Sequence, residues 1–268
     1  MISCLTRRTP VKALVLEKAM ELVHREVPDP VLDDDRSVLV RVKAVSICGS
    51  DVHGMDGSTG RRIPPVIMGH EAAGIIEKVG PGVKAYKPGD RVTFDSTIYC
   101  GECFYCRRGE VNLCDNRRVL GVSCDEYRRD GAFAEHVVVP ERILYPIPGN
   151  LDFVSAAMTE PLAVACHAAR LGKPDLGETI VVVGAGLIGL LLIQALRVNC
   201  SGLIIAVDMD AGRLETARSF GADHTVQAGP DAAEKVRTIT RGRGADLAFE
   251  AVGATAPIAT AIGSLRKG

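Results

Sequence analysis

One stretch decides how the C-terminal part of the chain folds: Ile180-Val181-Val182-Val183-Gly184-Ala185-Gly186-Leu187-Ile188-Gly189. Four β-branched residues predict a buried strand, and the apolar run beginning at Leu187 predicts a buried helix. Between them lies G-x-G-x-x-G, a weak pattern alone. Here it closes a strand and opens a helix, the context in which such a turn holds a dinucleotide pyrophosphate. Gly184 permits the tight turn, Gly186 lets the backbone approach a phosphate, and Gly189 lets helix and strand pack closely. Asp208 follows the next strand, nineteen residues after Gly189. A carboxylate there accepts hydrogen bonds from the adenine ribose and repels a 2′-phosphate, which favours NAD over NADP. Arg213, five residues on, is placed to stack on adenine or to meet a phosphate.

The run from Ile180 to Leu196 is apolar apart from Gln194. Its three glycines make it strand, turn and helix rather than a membrane span. Outward from it the same alternation continues. Helices are predicted over 154–171, 187–198, 211–220, 231–240 and 256–265, the first capped by Asp152 or Ser155. Strands are predicted over 179–183, 203–207, 224–226 and 245–251. Alternating strands and helices specify a parallel, doubly wound α/β sheet. Such a sheet has about six strands when complete, and four are found. Residues 264–268 read as a helix exit capped by Gly268. The expectation is an incomplete nucleotide domain over 154–268, lacking its last strands and leaving an apolar edge.

Before residue 153 the signals differ. Strands are predicted over 11–16, 37–46, 74–79, 91–94 and 132–139, separated by turns such as Gly80-Pro81-Gly82 and Lys87-Pro88-Gly89-Asp90. Short strands at this spacing predict a barrel-like β domain over 11–153. Residues 1–10 show no periodicity and are expected to be a disordered extension.

Composition narrows the function. The 268 residues carry a net charge of −1, which argues against a nucleic-acid binder with a basic surface. Hydrophobic residues make up 47% and charged residues 24%, so wholesale disorder is excluded. Nine cysteines, with no apolar leader after Arg7 and Arg8, point to metal ligands and free thiols in the cytoplasm, not a disulfide scaffold.

Cys100, Cys103, Cys106 and Cys114 form C-x2-C-x2-C-x7-C in a polar stretch. Four thiolates so close in sequence suit one structural Zn²⁺ in a closed tetrahedral site, with an iron–sulfur cluster as the alternative. Cys4, Cys124, Cys166 and Cys200 have no such spacing. Cys48 stands in Cys48-Gly49-Ser50-Asp51-Val52-His53, after a strand and ahead of Gly69-His70-Glu71-Ala72-Ala73-Gly74. A thiolate, an imidazole and a carboxylate suit zinc, and three protein ligands leave a position open for chemistry. By themselves, one cysteine and one histidine twenty-two residues apart fit a buried thiol and a core histidine better than a metal site.

Taken together, the motifs resemble those of the zinc-containing medium-chain dehydrogenase/reductase family, in its sorbitol (polyol) and threonine dehydrogenase branch. The resemblance rests on Cys48 to His53, on Gly69-His70-Glu71-x2-Gly74-x5-Gly80-x2-Val83 and on the four-cysteine lobe. Glu160-Pro161-Leu162-Ala163 and the glycine motif at Gly184 complete it. It implies a GroES-like barrel beside a Rossmann domain, with Cys48, His70 and Glu71 on a catalytic zinc and Glu160 nearby or alternating with a ligand. It implies Ser50 and His53 as a proton relay, and Gly184, Gly186, Leu187, Ile188, Gly189, Asp208 and Arg213 lining an NAD site. The implied reaction is hydride transfer from a secondary alcohol such as sorbitol to NAD⁺. Threonine, butanediol or galactitol phosphate are alternative substrates, and a catalytically inactive zinc-binding fragment is an alternative state. Full-length relatives are expected to be homo-oligomers, with no nucleic-acid or membrane partner. Part of the substrate pocket is implied near residues 55–63, where Arg61 and Arg62 would belong to a solvated loop or meet a phosphorylated substrate.

Overall fold

The computed structural model describes residues 10–199 and 202–268. Cys4, Cys200 and the expected extension, Pro10 apart, lie outside the described residues. The chain divides into two units, Met1–Glu160 and Pro161–Gly268.

The first unit is mostly antiparallel β-structure. Strands β1 (Val11–Lys18), β2 (Glu21–Val27), β3 (Ser37–Ser46), β4 (Val66–Ile67), β5 (Glu71–Val79) and β6 (Arg91–Phe94) come first, with helix α1 (Gly49–Gly54) between β3 and β4. Short pieces follow: β7 (Thr97–Ile98), α2 (Phe104–Arg107), β8 (Arg118–Val119), β9 (Val122–Ser123), β10 (Arg128–Arg129), β11 (His136–Pro140), β12 (Leu144–Pro146) and α3 (Phe153–Ala157). The largest sheet runs β11-β3-β5-β6-β12, and a second runs β2-β1-β4. Alternate residues of β3, Val38 and Val40, face a core with Ala72, Ile76, Val92, Phe94, Leu120 and Val139. Each of the valine, isoleucine, leucine and phenylalanine side chains contributes about 1.5–3 kcal/mol when fully buried.

Several short strands were not expected, β5 starts three residues earlier than expected, and two further differences have clear causes. Strand β2 was not predicted, because Glu21-Leu22-Val23-His24-Arg25-Glu26-Val27 is half charged; it is an exposed strand paired antiparallel to β1. The strand expected over 132–139 begins at His136, because Gly131, Ala132 and Phe133 donate their amides to the carbonyls of Ile67, Gly69 and Met68. That crossing brings three glycines together. A Cβ on Gly131 would lie 2.2 Å from the carbonyl oxygen of Gly69, and one on Gly121 would lie 2.9 Å from the Gly69 nitrogen. Gly69 itself has φ of +89°, a region that glycine alone enters readily.

The second unit contains the rest of helix α4 (Thr159–Gly172), which begins at the end of the first unit, and then β13 (Ile180–Val183), α5 (Leu187–Asn199), β14 (Ile204–Asp208), α6 (Ala211–Ser219), β15 (His224–Gln227), α7 (Ala232–Ile239), β16 (Leu247–Glu250) and α8 (Thr255–Ser264). The sheet is parallel, in order β15-β14-β13-β16. Ile180 and Val182 pack with Leu192 and Leu196 on one face. Val181 and Val183 pack with Val236 and Ala261 on the other. This period-two division of one apolar strand is how a central parallel strand buries both faces.

The single helix expected over 154–171 is two helices, α3 and α4. Pro161 explains the break: it lacks the amide that would continue the ladder to Ala157 and its ring excludes that carbonyl, while it fits the first turn of α4. Asp152 is the cap, accepting from the Ser155 amide. At the other end Gly268 is not a helix cap. Leu265 leaves α8 with extended backbone and bridges Ala245 in parallel.

Asp246 ties this exit to the sheet, accepting from the Thr179 amide at 2.8 Å and from Arg266 Nε at 2.6 Å. The Thr179 hydrogen bond, and then Arg266, hold its carboxyl below the ordinary 3.8. A depressed folded-state pKa means the stabilisation is complete above the unfolded value and disappears as pH falls through the folded one. Asp246→Ala is therefore expected to lower stability by about 1 kcal/mol at pH 7. Urea titrations at several pH values should show that difference shrinking below about pH 4.

Candidate metal centre and nucleotide turn

The antiparallel pairing of β3 with β5 builds the first site. Ser46, the last residue of β3, lies opposite Glu71, the first residue of β5. Cys48, two residues beyond β3, thereby meets Glu71 and His70, the latter twenty-two positions further along the chain. One ligand-type atom from each of Cys48, His70 and Glu71 lies within 4.8 Å of the others. Cys48 is half-buried and the other two are buried.

Asp51 joins this group from the first turn of α1. Its Oδ2 accepts from the Cys48 amide at 3.2 Å, and its Oδ1 lies 3.5 Å from His70 Nδ1. That leaves His70 Nε2 for a metal. Burial acts to lower the His70 pKa, but Asp51 and Cys48 outweigh it and raise it to about 10. Burial likewise acts to raise Asp51, and His70, Arg62 and the Cys48 amide overcome it and lower the carboxyl. The Ser46 hydroxyl donates to Glu71 Oε2. Glu160 stands outside the three-residue group. It accepts from Ser96 Oγ at 3.0 Å, and burial pushes its carboxyl up. His70 and Glu71 are near enough to act on its charge. Ser50 and His53 are three residues apart on α1 and both exposed.

Sequence reasoning quoted Asp51 inside the motif without giving it a role, and it missed Ser46 and Ser96. For Asp51 the signal was a carboxylate three residues after a candidate ligand at a helix start. Ser46 and Ser96 carry no local signal; strand register and tertiary packing place them. The expectation for Arg62 is overturned: it is 4% exposed and donates from Nη2 to Asp51 Oδ1 at 3.1 Å. Its charge is committed inside the protein and unavailable to a phosphorylated substrate, whereas Arg61 is exposed.

The four lobe cysteines converge similarly, with one sulfur from each within 4.8 Å of the others. All four are free thiols, and the sulfur of Cys100 is 3.9 Å from that of Cys106. The amides of Glu102 and Cys103 pull Cys100 down to about 6. Desolvation, with the neighbouring sulfurs, pushes Cys106 up to about 12. Four sulfurs competing for protons in one pocket suit a cation that replaces those protons. The described residues hold these two metal-competent groups.

In the second unit, Gly184 and Gly186 form the turn between β13 and α5, with Leu187 opening the helix. A Cβ on Gly189 would lie 1.8 Å from the Gly184 carbonyl oxygen. Asp208 ends β14 and is fixed from both sides: Oδ2 accepts from the Ala185 amide at 2.6 Å and Oδ1 from the Asp210 amide at 2.8 Å. Its carboxylate is thus anchored to the glycine turn. Ile188 is half-buried and Arg213 exposed.

Comparison with known proteins gives the family. Residues 34–149 match the alcohol dehydrogenase GroES-like domain, and residues 188–268 match the zinc-binding dehydrogenase domain. Sorbitol dehydrogenase of Bacillus subtilis (strain 168) is 37% identical over 262 residues, which cover 96% of this chain and 73% of that protein. The chain belongs to the zinc-containing medium-chain dehydrogenase/reductase family. Among solved structures of this kind, a zinc-binding-dehydrogenase-type chain from Sinorhizobium meliloti 1021, bound to NADP, superposes with a TM-score of 0.87 at 34% identity. The match covers 97% of this chain and 75% of that one. Galactitol-1-phosphate dehydrogenase from Escherichia coli gives 0.87 at 28% identity, covering 95% and 72%. No helix among the described residues is long and apolar enough to cross a membrane.

Proposed function

We propose that this family member is a zinc-dependent polyol dehydrogenase that oxidises a secondary alcohol with NAD⁺. The observation that carries the reading is the convergence of Cys48, His70 and Glu71, with Asp51 behind the histidine. A sulfur, a nitrogen and an oxygen donor fit zinc and leave one position open, whereas the four-cysteine group is closed. When bound, zinc supplies a Lewis acid for the alcohol oxygen and NAD⁺ supplies the hydride acceptor.

The chain's own residues do the remainder. Cys48, His70 and Glu71 hold the metal, Glu160 waits beside them as an exchangeable carboxylate, and Cys100, Cys103, Cys106 and Cys114 hold a structural zinc. Ser50 and His53, exposed on one face of α1, offer a hydroxyl and an imidazole to carry the alcohol proton to solvent. Gly184, Gly186, Leu187, Ile188 and Gly189 present the helix N-terminus to pyrophosphate, with Asp208 for the ribose and Arg213 for the adenine end. The anchored Asp208 carboxylate supports NAD over NADP, in contrast to the NADP held by the Sinorhizobium chain. The relative named for sorbitol supports a polyol, and the commitment of Arg62 to Asp51 speaks against a phosphorylated one. Free cysteines throughout the described residues fit a reducing compartment.

The test measures metal content and turnover together. Two zinc ions per chain and oxidation of sorbitol or xylitol, with a higher kcat/KM for NAD⁺ than for NADP⁺, are expected. Two metals and ADP-ribose binding without turnover of sorbitol, xylitol, threonine, butanediol or galactitol phosphate would reject the enzymatic reading and leave a metal- and nucleotide-binding protein.

A further inference from the structure

We propose that Arg62 is a positioning residue for the metal centre, fixing the Asp51 carboxylate that orients the His70 ring, and that Gly54 exists to seat it. The inference rests on the metal-site reading above and goes beyond it to a residue that touches none of the three candidate ligands.

The placement of Arg62 is built from several directions. Its backbone is pinned where the Ser123 amide donates to the Arg61 carbonyl and the Ile63 amide donates to the Ser123 carbonyl. Its side chain then runs inward across the end of α1. A Cβ on Gly54 would lie 2.5 Å from Arg62 Cγ, so any larger residue there would occupy the path of the arginine stem. The guanidinium reaches Asp51 Oδ1 through Nη2 and the Arg61 carbonyl through Nη1, at 3.1 and 3.0 Å.

The choice of atom matters. Arg62 and His70 approach the same oxygen of Asp51, while the other oxygen holds the Cys48 amide. One carboxylate therefore addresses two of the three candidate ligands, and Arg62 fixes where that carboxylate stands. Both members of the pair are nearly inaccessible, Asp51 at 1% and Arg62 at 4%. A buried ion pair is a poor source of stability, since apolar residues of the same volume usually serve as well. A reason tied to orientation is stronger: partners behind a ligating histidine fix its tautomer and ring angle and raise metal affinity. Without Arg62, Asp51 would be a buried carboxylate with fewer constraints, free to turn from the histidine.

Co²⁺ binding to the full chain tests this without using turnover. The chain is treated with a mild chelator that empties the weaker site, then titrated with Co²⁺ against a competing chelator while the visible d–d band is recorded. Wild-type protein is expected to take up Co²⁺ beyond the four-cysteine site. Arg62→Met should weaken that uptake between about tenfold and a hundredfold and move the band, with the four-cysteine metal retained. Arg62→Lys should restore part of the affinity. Gly54→Ala keeps every charge but displaces the arginine stem, and should behave like Arg62→Met. If Arg62→Met fails to fold, Gly54→Ala and Arg62→Lys decide the matter. Affinities within twofold of wild type and an unmoved band in the folded variants would overturn the role of Arg62 alone. A wild-type chain that binds metal only at the four cysteines would overturn the metal-site reading, and this proposal with it.

Discussion

His70→Ala is expected to remove one of two metal ions and to depress alcohol oxidation roughly a thousandfold or more. The size follows from what the site supplies: Lewis-acid stabilisation of charge on the alcohol oxygen is worth several kcal/mol, and each 1.36 kcal/mol is a factor of ten. His70 is the donor with the strongest support behind it, because Asp51 faces one ring nitrogen and leaves the other free. The same surroundings raise its pKa to about 10 when no metal is bound. Metal must displace that proton, so uptake releases a proton and weakens as pH falls. Metal analysis, proton release on zinc addition and initial rates at saturating alcohol check the prediction. A variant that keeps two metals and more than a tenth of the activity would contradict it.

Cys114→Ser is expected to open the cysteine lobe altogether. Helix α2 has no buried residue, and Phe104 and Leu113 are 65% and 52% exposed, so the lobe has almost no apolar core of its own. Structural zinc in small peptides provides about 10–16 kcal/mol of apparent folding free energy. That matches or exceeds the ~5–15 kcal/mol that holds a whole domain together. The lobe should lose its zinc and be cut by protease between residues 100 and 117, as read by mass spectrometry. Cys124→Ser, which alters a half-buried thiol outside the cluster, should leave metal content and cleavage unchanged. Binding of ADP-ribose to residues 161–268, whose core shares no residue with the lobe, should survive in both variants.

These two centres were unequally legible in the sequence. The four cysteines announce themselves because all their spacing is local, and the structure brings their sulfurs together. Cys48 and His70 are twenty-two residues apart, and only the resemblance to known dehydrogenases singled them out; the register of β3 against β5 supplies the physical reason they meet. The parallel sheet was readable because Ile180 to Val183 is uniformly apolar and ends in glycine. Strand β2 was not, since its charged residues give an exposed strand no pattern. Arg62 was misread for a related cause: in sequence it looks like any loop arginine, and only the bare Gly54 and the position of Asp51 draw it inside. Local chemistry shows in sequence; a buried partner supplied by another segment does not.

The crossing of Gly69, Gly121 and Gly131 bears on how this barrel can be redesigned. Gly69 directly precedes His70, so a laboratory evolution library aimed at substrate preference would naturally sample its surroundings. Those three columns would come back empty of substitutions, since a single added carbon meets backbone within 2.9 Å at Gly121 and 2.2 Å at Gly131, and the Phe133 ring at 2.5 Å at Gly69. Such intolerance would resemble the signature of a substrate contact while arising from crowding and positive φ alone. Useful variation has to enter through the exposed segment that carries Ser58, Thr59 and Arg61, where side chains have room and the strand that begins at Glu71 is left undisturbed.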